Sequence, residues 1–129
     1  MSRALALAFA LALLAAGCGG GNSDEEQVRD TVTELARATE AKDYQALCDR
    51  ILAPSLIDEV KRVGLPCEVA LQQALGDVKE PRLTIGRITI DGERAKAEVR
   101  TSASGQKPSQ DVVELQRVDE DWRISALAG

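Results

Sequence analysis

Few side chains in this 129-residue chain could do chemistry, and their types narrow the choice before any fold is considered. There are three cysteines (Cys18, Cys48, Cys67), a single tyrosine (Tyr44) and no histidine. The absence of histidine removes the usual general base near neutral pH, the commonest zinc ligand and every His-containing triad. The acids Asp30, Glu34 and Asp49 fall where solvated helix faces are expected. Tyr44 falls on an apolar helix face, which suits a core tyrosine with a hydrogen-bonded hydroxyl better than a catalytic one. Arg117 shares the alternation phase of Val113 and Leu115, so it belongs either at a cavity mouth or at a strand end. No carboxylate pair, phosphate-cradling loop or nucleophile–base spacing is present. The sequence therefore assigns no catalytic residue, no metal ligand and no cofactor, and the expectation is a protein that is not an enzyme.

Cys18 stands apart from the other two cysteines. It follows "MSRALALAFALALLAAG", a leader with one positive charge at Arg3 and an apolar run from Ala4 to Ala16. That run is too short to span a bilayer, which needs roughly 20 apolar residues. A charged start, a short apolar run and small residues at its end are the pattern of a secretory signal peptide. Because the small residues Ala15, Ala16 and Gly17 run straight into a cysteine, residues 1–18 resemble the leader of a bacterial lipoprotein. That family more often has Leu where Ala15 stands, and here Leu14 lies one position early. The resemblance implies removal of residues 1–17 and transfer of a diacylglyceryl group to the Cys18 thiol, with palmitate-type acylation. The alternative is a plain or paired Cys18 thiol after ordinary cleavage. Two or more acyl chains would hold the protein on a membrane, each buried methylene contributing about 0.8 kcal/mol. The expected location is then the extracytoplasmic face of the cell membrane. Residues 18–24 read as the lipidated cysteine and a glycine-rich tether reaching only about 13 Å.

Composition bounds the remainder. Charged residues are 29% and apolar ones 44%, the balance of a globular domain. Aromatics are only 2%, so the core must be built from Leu, Ile, Val and Ala. Net charge is −5 with scattered basic residues, which argues against nucleic acid and against a polybasic membrane patch.

One α+β domain over 25–129 must position whatever chemistry exists. Ser23 and Glu26 have capping-box spacing, and Val28, Val32, Leu35 and Ala36 recur at helical period to about Ala41. Asp43 reads as the N-cap of a second helix with Tyr44, Leu47, Cys48, Ile51 and Leu52 on one face, ended by Pro54. A short turn or helix through Leu56, Ile57 and Val60 closes at Gly64. Pro66 fits the first position of another helix presenting Cys67, Ala70, Leu71, Ala74 and Leu75.

Then the period becomes two. "RLTIGRITI" alternates with a phase slip at Gly86–Arg87 that reads as a β-bulge, and Asp91–Gly92 signals a hairpin. The partner strand turns Ala95, Ala97 and Val99 inward. After a loop over Ser102–Gln110, strands are expected at Val112–Val118 and Trp122–Leu127, turning at "DED". Cys48 and Cys67 are an even pair in an exported chain, which favours a disulfide over two buried free thiols. No CxxC spacing suggests a redox pair.

This layout resembles the nuclear transport factor 2-like superfamily, including its SnoaL-like branch. The residues that carry the resemblance are "VRDTVTELARATEAKDYQALCD", with its "AKDY" turn between helices, and "VVELQRVDEDWRISAL", with Trp122 near the start of the last strand. It implies N-terminal helices packed on a curved antiparallel sheet, a cone of the cystatin-like kind, made shallow here by short strands. Family enzymes converge Asp, Tyr or His inside the cone. The expected inward positions here are Leu83, Ile85, Ile88, Ala95, Ala97, Val99, Val113 and Leu115, so no catalytic residue carries over. The function expected is a non-catalytic, membrane-tethered domain that binds a membrane-proximal protein or a small apolar ligand. Alternatives are an accessory subunit of a membrane complex, or a weak family-type enzyme using a buried Asp or Tyr.

Overall fold

A computed structural model describes residues 23–128, so the leader, Cys18 and the glycines of the tether lie outside the described residues. Helix α1 (Asp24–Glu40) starts where the capping signal places it, with Ser23 Oγ accepting from the Glu26 N–H at 3.2 Å. Asp24, Glu25 and Glu26 crowd its first turn, where carboxylates favour the positive end of the helix dipole. Its buried stripe is Val28, Val32, Leu35 and Ala38. Ala38 thus takes the place expected of Ala36, which is only half-buried.

The second helix is not one helix. Asp43 caps a short α2 (Tyr44–Ala46), and the chain then widens into a π-helical segment (Leu47–Ile51), closed by the Leu52 N–H donating to the Leu47 carbonyl at 2.8 Å. Leu47, Cys48 and Ile51 are buried on that segment. Pro54 does more than end it: free of any need to donate an N–H, Pro54 opens α3 (Pro54–Lys61). No residue of α3 is fully buried. Helix α4 (Cys67–Leu75) begins one residue after Pro66, which acts as its N-cap residue instead of its first helical position. Ala74, expected on the apolar face, is exposed, while Cys67 is buried.

Four antiparallel strands follow in the spatial order β1-β2-β3-β4: β1 (Arg82–Asp91), β2 (Arg94–Ser102), β3 (Ser109–Val118) and β4 (Asp121–Ala128). Pairing slips between Ile85 and Ile88, which is the bulge at Gly86–Arg87. A Cβ on Gly86 would lie 3.2 Å from the Glu98 carbonyl oxygen, so glycine suits the close approach of the two strands there. Asp91 pairs with Arg94, so the two turn residues are Gly92 and Glu93, one position later than the sequence signal. Gly92 supplies the positive φ of +60°. At the last hairpin Asp119 and Glu120 both take positive φ, as a type I′ turn requires, without a glycine.

A second slip, between Glu114 and Leu115, places an extra residue at Ser125 on β4. Trp122 and Ile124 face the core before it, and Leu127 pairs with inward-facing Val113 after it. The inner face of the sheet, with Ala95, Ala97, Val99, Val113, Leu115 and Ile124 buried, packs on α1 and the π-helical segment. A parallel bridge from Leu52 to Ile124, extended by the Ala53 N–H donating to the Ile124 carbonyl at 2.7 Å, ties the helical half to β4. The architecture is α+β, helices on one face of an open antiparallel sheet, as expected.

Candidate binding cavity

The aliphatic core does not fill the space between sheet and helices. A half-open cavity of about 520 Å³ lies between the C-terminal half of α1, helices α3 and α4, and the inner face of β1–β4. That is the size of small-molecule sites, and its strands, of 10, 9, 10 and 8 residues, are longer than the sequence suggested. Most of the wall is aliphatic, with Leu35, Leu56, Leu71, Leu75, Leu83 and Val113 among its residues, and polar side chains line the part near β3. Leu127 also lines it while remaining 62% exposed, the Ser125 bulge having turned it to the side of Val113.

The helical wall is fastened covalently. Cys48 of the π-helical segment and Cys67, the first residue of α4, form a disulfide across 19 positions, both cysteines being buried. Lys42, held at φ +55° just beyond α1, reaches α4 from the other end by donating from Nζ to the Gly76 carbonyl at 2.8 Å.

One acid lies on the cavity wall, and the sequence reading passed over it. Asp111 pairs with Val99 across β2–β3 and precedes Val113 by two residues, so it faces inward. Its Oδ2 accepts from the Thr101 hydroxyl at 2.8 Å and from the Ser109 hydroxyl at 2.8 Å, and those two hydroxyl oxygens are 2.9 Å apart. The signal was available: extending the Val113–Leu115 alternation backwards by one step reaches Asp111. Starting β3 at Val112 instead of Ser109 hid it.

The other candidate residues lie elsewhere. Arg117 is at the strand end, away from the cavity. Its guanidinium pairs with Asp24 at the start of α1 and lies over the Trp122 ring, 5.2 Å from the centroid. Trp122 Nε1 donates to the same Asp24 carboxylate at 3.4 Å, so the three residues lock the first turn of α1 to β3 and β4. Tyr44 packs against the aliphatic core, as expected, but its hydroxyl is buried without a hydrogen-bond partner, because that core is apolar. Tyr44 does not line the cavity. Asp49 is exposed, and Asp30 is exposed on α1. Glu34 is half-exposed and pairs with Arg37 at 2.6 Å, and that hydrogen bond holds its carboxyl below the ordinary value of 4.5. The pair therefore adds stability above about pH 4.5 that is lost as pH falls through the lowered value. With both side chains about half exposed, solvent keeps that contribution small.

Among the described residues no group of three or more Cys, Asp or Glu is placed to hold a metal ion, and no helix is long and apolar enough to cross a membrane.

No protein-family model matches the chain, and no curated protein matches it. Solved structures do. A nuclear transport factor 2-like protein of unknown function from Silicibacter pomeroyi superposes with a TM-score of 0.59 at 17% identity, covering 80% of this chain and 91% of the other. A de novo designed protein of the same fold gives a TM-score of 0.54 at 18% identity over 82% of this chain and 87% of the design. A nuclear transport factor 2-like protein of unknown function from Shewanella baltica gives 0.54 at 13% identity over 83% of this chain and 94% of its own. At such identities the likeness speaks for backbone architecture alone, and on that level it agrees with the element order and the sheet: residues 23–128 have the nuclear transport factor 2-like fold.

Proposed function

We propose that this domain is a non-catalytic binding module that holds a small apolar molecule in the cavity between α1, α3, α4 and the sheet, while lipid on Cys18 keeps the module at the extracytoplasmic face of the cell membrane. The observation that carries the first part is the unfilled aliphatic cavity of about 520 Å³. Burying a ligand there removes apolar surface of both partners from water, at roughly 25 cal/mol per Å². The second part rests on the leader and its cysteine. From Asp24 to the cavity wall at Leu35 and Thr39 is about 16–22 Å along α1, at 1.5 Å per residue. In this arrangement the α1 part of the cavity wall lies about three to four helical turns from the tethered end.

The neutral fluorophore N-phenyl-1-naphthylamine tests the cavity. The full chain should bind it saturably, and Ala36→Phe, which fills the α1 wall, should weaken binding about tenfold or more, a large share of what one buried aromatic contributes. Equal binding by wild type and variant would remove the cavity from the account. For the anchor, mass spectrometry of membrane-extracted protein should find a diacylglyceryl-modified Cys18 as the first residue; an unmodified Cys18 thiol would end that reading.

A second reading has one observation in its favour. Asp111 is an acid in an apolar cavity, the setting in which carboxyl groups act as general acids or bases. Against it, no Tyr or other acid joins Asp111 on the wall to take the complementary role. Turnover by the wild type that disappears in Asp111→Asn would favour this reading over simple binding.

A further inference from the structure

We infer that the cavity selects an apolar molecule that carries a hydrogen-bond donor, an aliphatic amine or alcohol, and discriminates against a carboxylate of the same chain length. The inference rests on the cavity being a ligand site, and it comes from counting protons in the Thr101–Ser109–Asp111 triangle. Each hydroxyl owns one proton, and a carboxylate is acceptor-only. Three oxygen–oxygen contacts of 2.8, 2.8 and 2.9 Å therefore share two protons. With both hydroxyls donating to Asp111 Oδ2, both protons are used inside the triangle, and what it then offers the cavity is lone pairs.

Asp111 adds to this. Its Oδ2 takes both hydroxyl bonds, while Oδ1 accepts from no described residue. No Lys or Arg among the described residues forms an ion pair with it. The cations on the cavity wall, Arg82 and Lys107, are exposed, whereas Asp111 is half-buried. Their attraction for an anion is weakened by water and salt. The negative, acceptor-only group sits in the less solvated position, where its interactions are stronger. A ligand ammonium or hydroxyl would find a partner at Oδ1. A ligand carboxylate would set lone pairs and like charge against it.

The test is titration calorimetry of the full chain with octylamine, 1-octanol and octanoate at one pH and ionic strength. Octylamine should bind about tenfold or more tightly than octanoate, the scale of one charge-assisted hydrogen bond. In Asp111→Asn, whose amide keeps the shape and supplies donors as well as acceptors, that preference should fall to a few-fold or less. Octanoate binding as tightly as octylamine to the wild type would overturn the head-group inference and leave the cavity reading standing. An unchanged preference in Asp111→Asn would also overturn it, by moving the selectivity to another group. Failure of all three probes to bind would overturn the cavity reading itself. The wild-type comparison needs no variant to fold, so the outcome is decided even if Asp111→Asn is unstable.

Discussion

Arg117 shows how one side chain can look functional and be structural. In sequence it is a charge at an inward-facing position, the kind of residue that draws attention in a binding cone. In the structure it closes a small lock, pairing with Asp24 and stacking on Trp122, which itself donates to Asp24. Asp24 and Arg117 keep 41% and 32% side-chain exposure, so the ion pair is partly screened and its contribution modest. Arg117→Met should lower thermal stability by about 1 kcal/mol, the sum of a screened pair and a cation–π contact, and should leave probe binding in the cavity unchanged. Asp111 is the opposite case, a residue that drew no attention yet faces the cavity. It was hidden because its neighbours Ser109 and Gln110 are polar, so the strand's alternation fades into what reads as loop. A buried phenol without a partner at Tyr44 was equally illegible, since sequence gives the apolar face but not the polar atoms opposite it.

At the scale of elements, periodicity carried most of the fold. Capping at Ser23 and Asp43, the slip at Gly86–Arg87 and the alternation of Ala95, Ala97 and Val99 all appear where the residue pattern puts them. Two departures share one cause, an added residue that changes local geometry without changing composition. The π-helical segment at Leu47–Ile51 keeps the same residues on the buried side as an α-helix would, so nothing in the sequence distinguishes them. The Ser125 bulge has no glycine to mark it. The disulfide was legible from the cysteine count and the leader, and its position explains its use. Helix α3 has no fully buried residue of its own, and it lies between the π-helical segment and α4, which the bond joins. The double variant Cys48→Ala/Cys67→Ala should lose about 3 kcal/mol of stability in denaturant melts, the chain-entropy value for a loop of this length. Because Leu56, Val60, Leu71 and Leu75 hang from these helices, probe affinity should fall with it. Unchanged affinity in the folded double variant would mean that the cavity wall is held by packing alone.

At the scale of the whole molecule, a small domain built almost without aromatics leaves a space that Leu, Val and Ala do not close. The absence of histidine narrows the chemistry, the aliphatic wall favours burial of an apolar body, and the Asp111 triangle adds a single polar preference. The proposed address at the membrane rests on the leader's resemblance alone and is independent of all of these. The central claim is that the unfilled space is where a ligand sits, and methyl-detected NMR of the full chain tests it most directly. On titration with N-phenyl-1-naphthylamine, shifts should concentrate on the cavity residues Leu56, Leu71, Leu75 and Leu127, while Val63 and Val69, exposed but outside the cavity, stay unmoved. Shifts centred on Val63 and Val69, or none at all on the cavity leucines, would contradict the account.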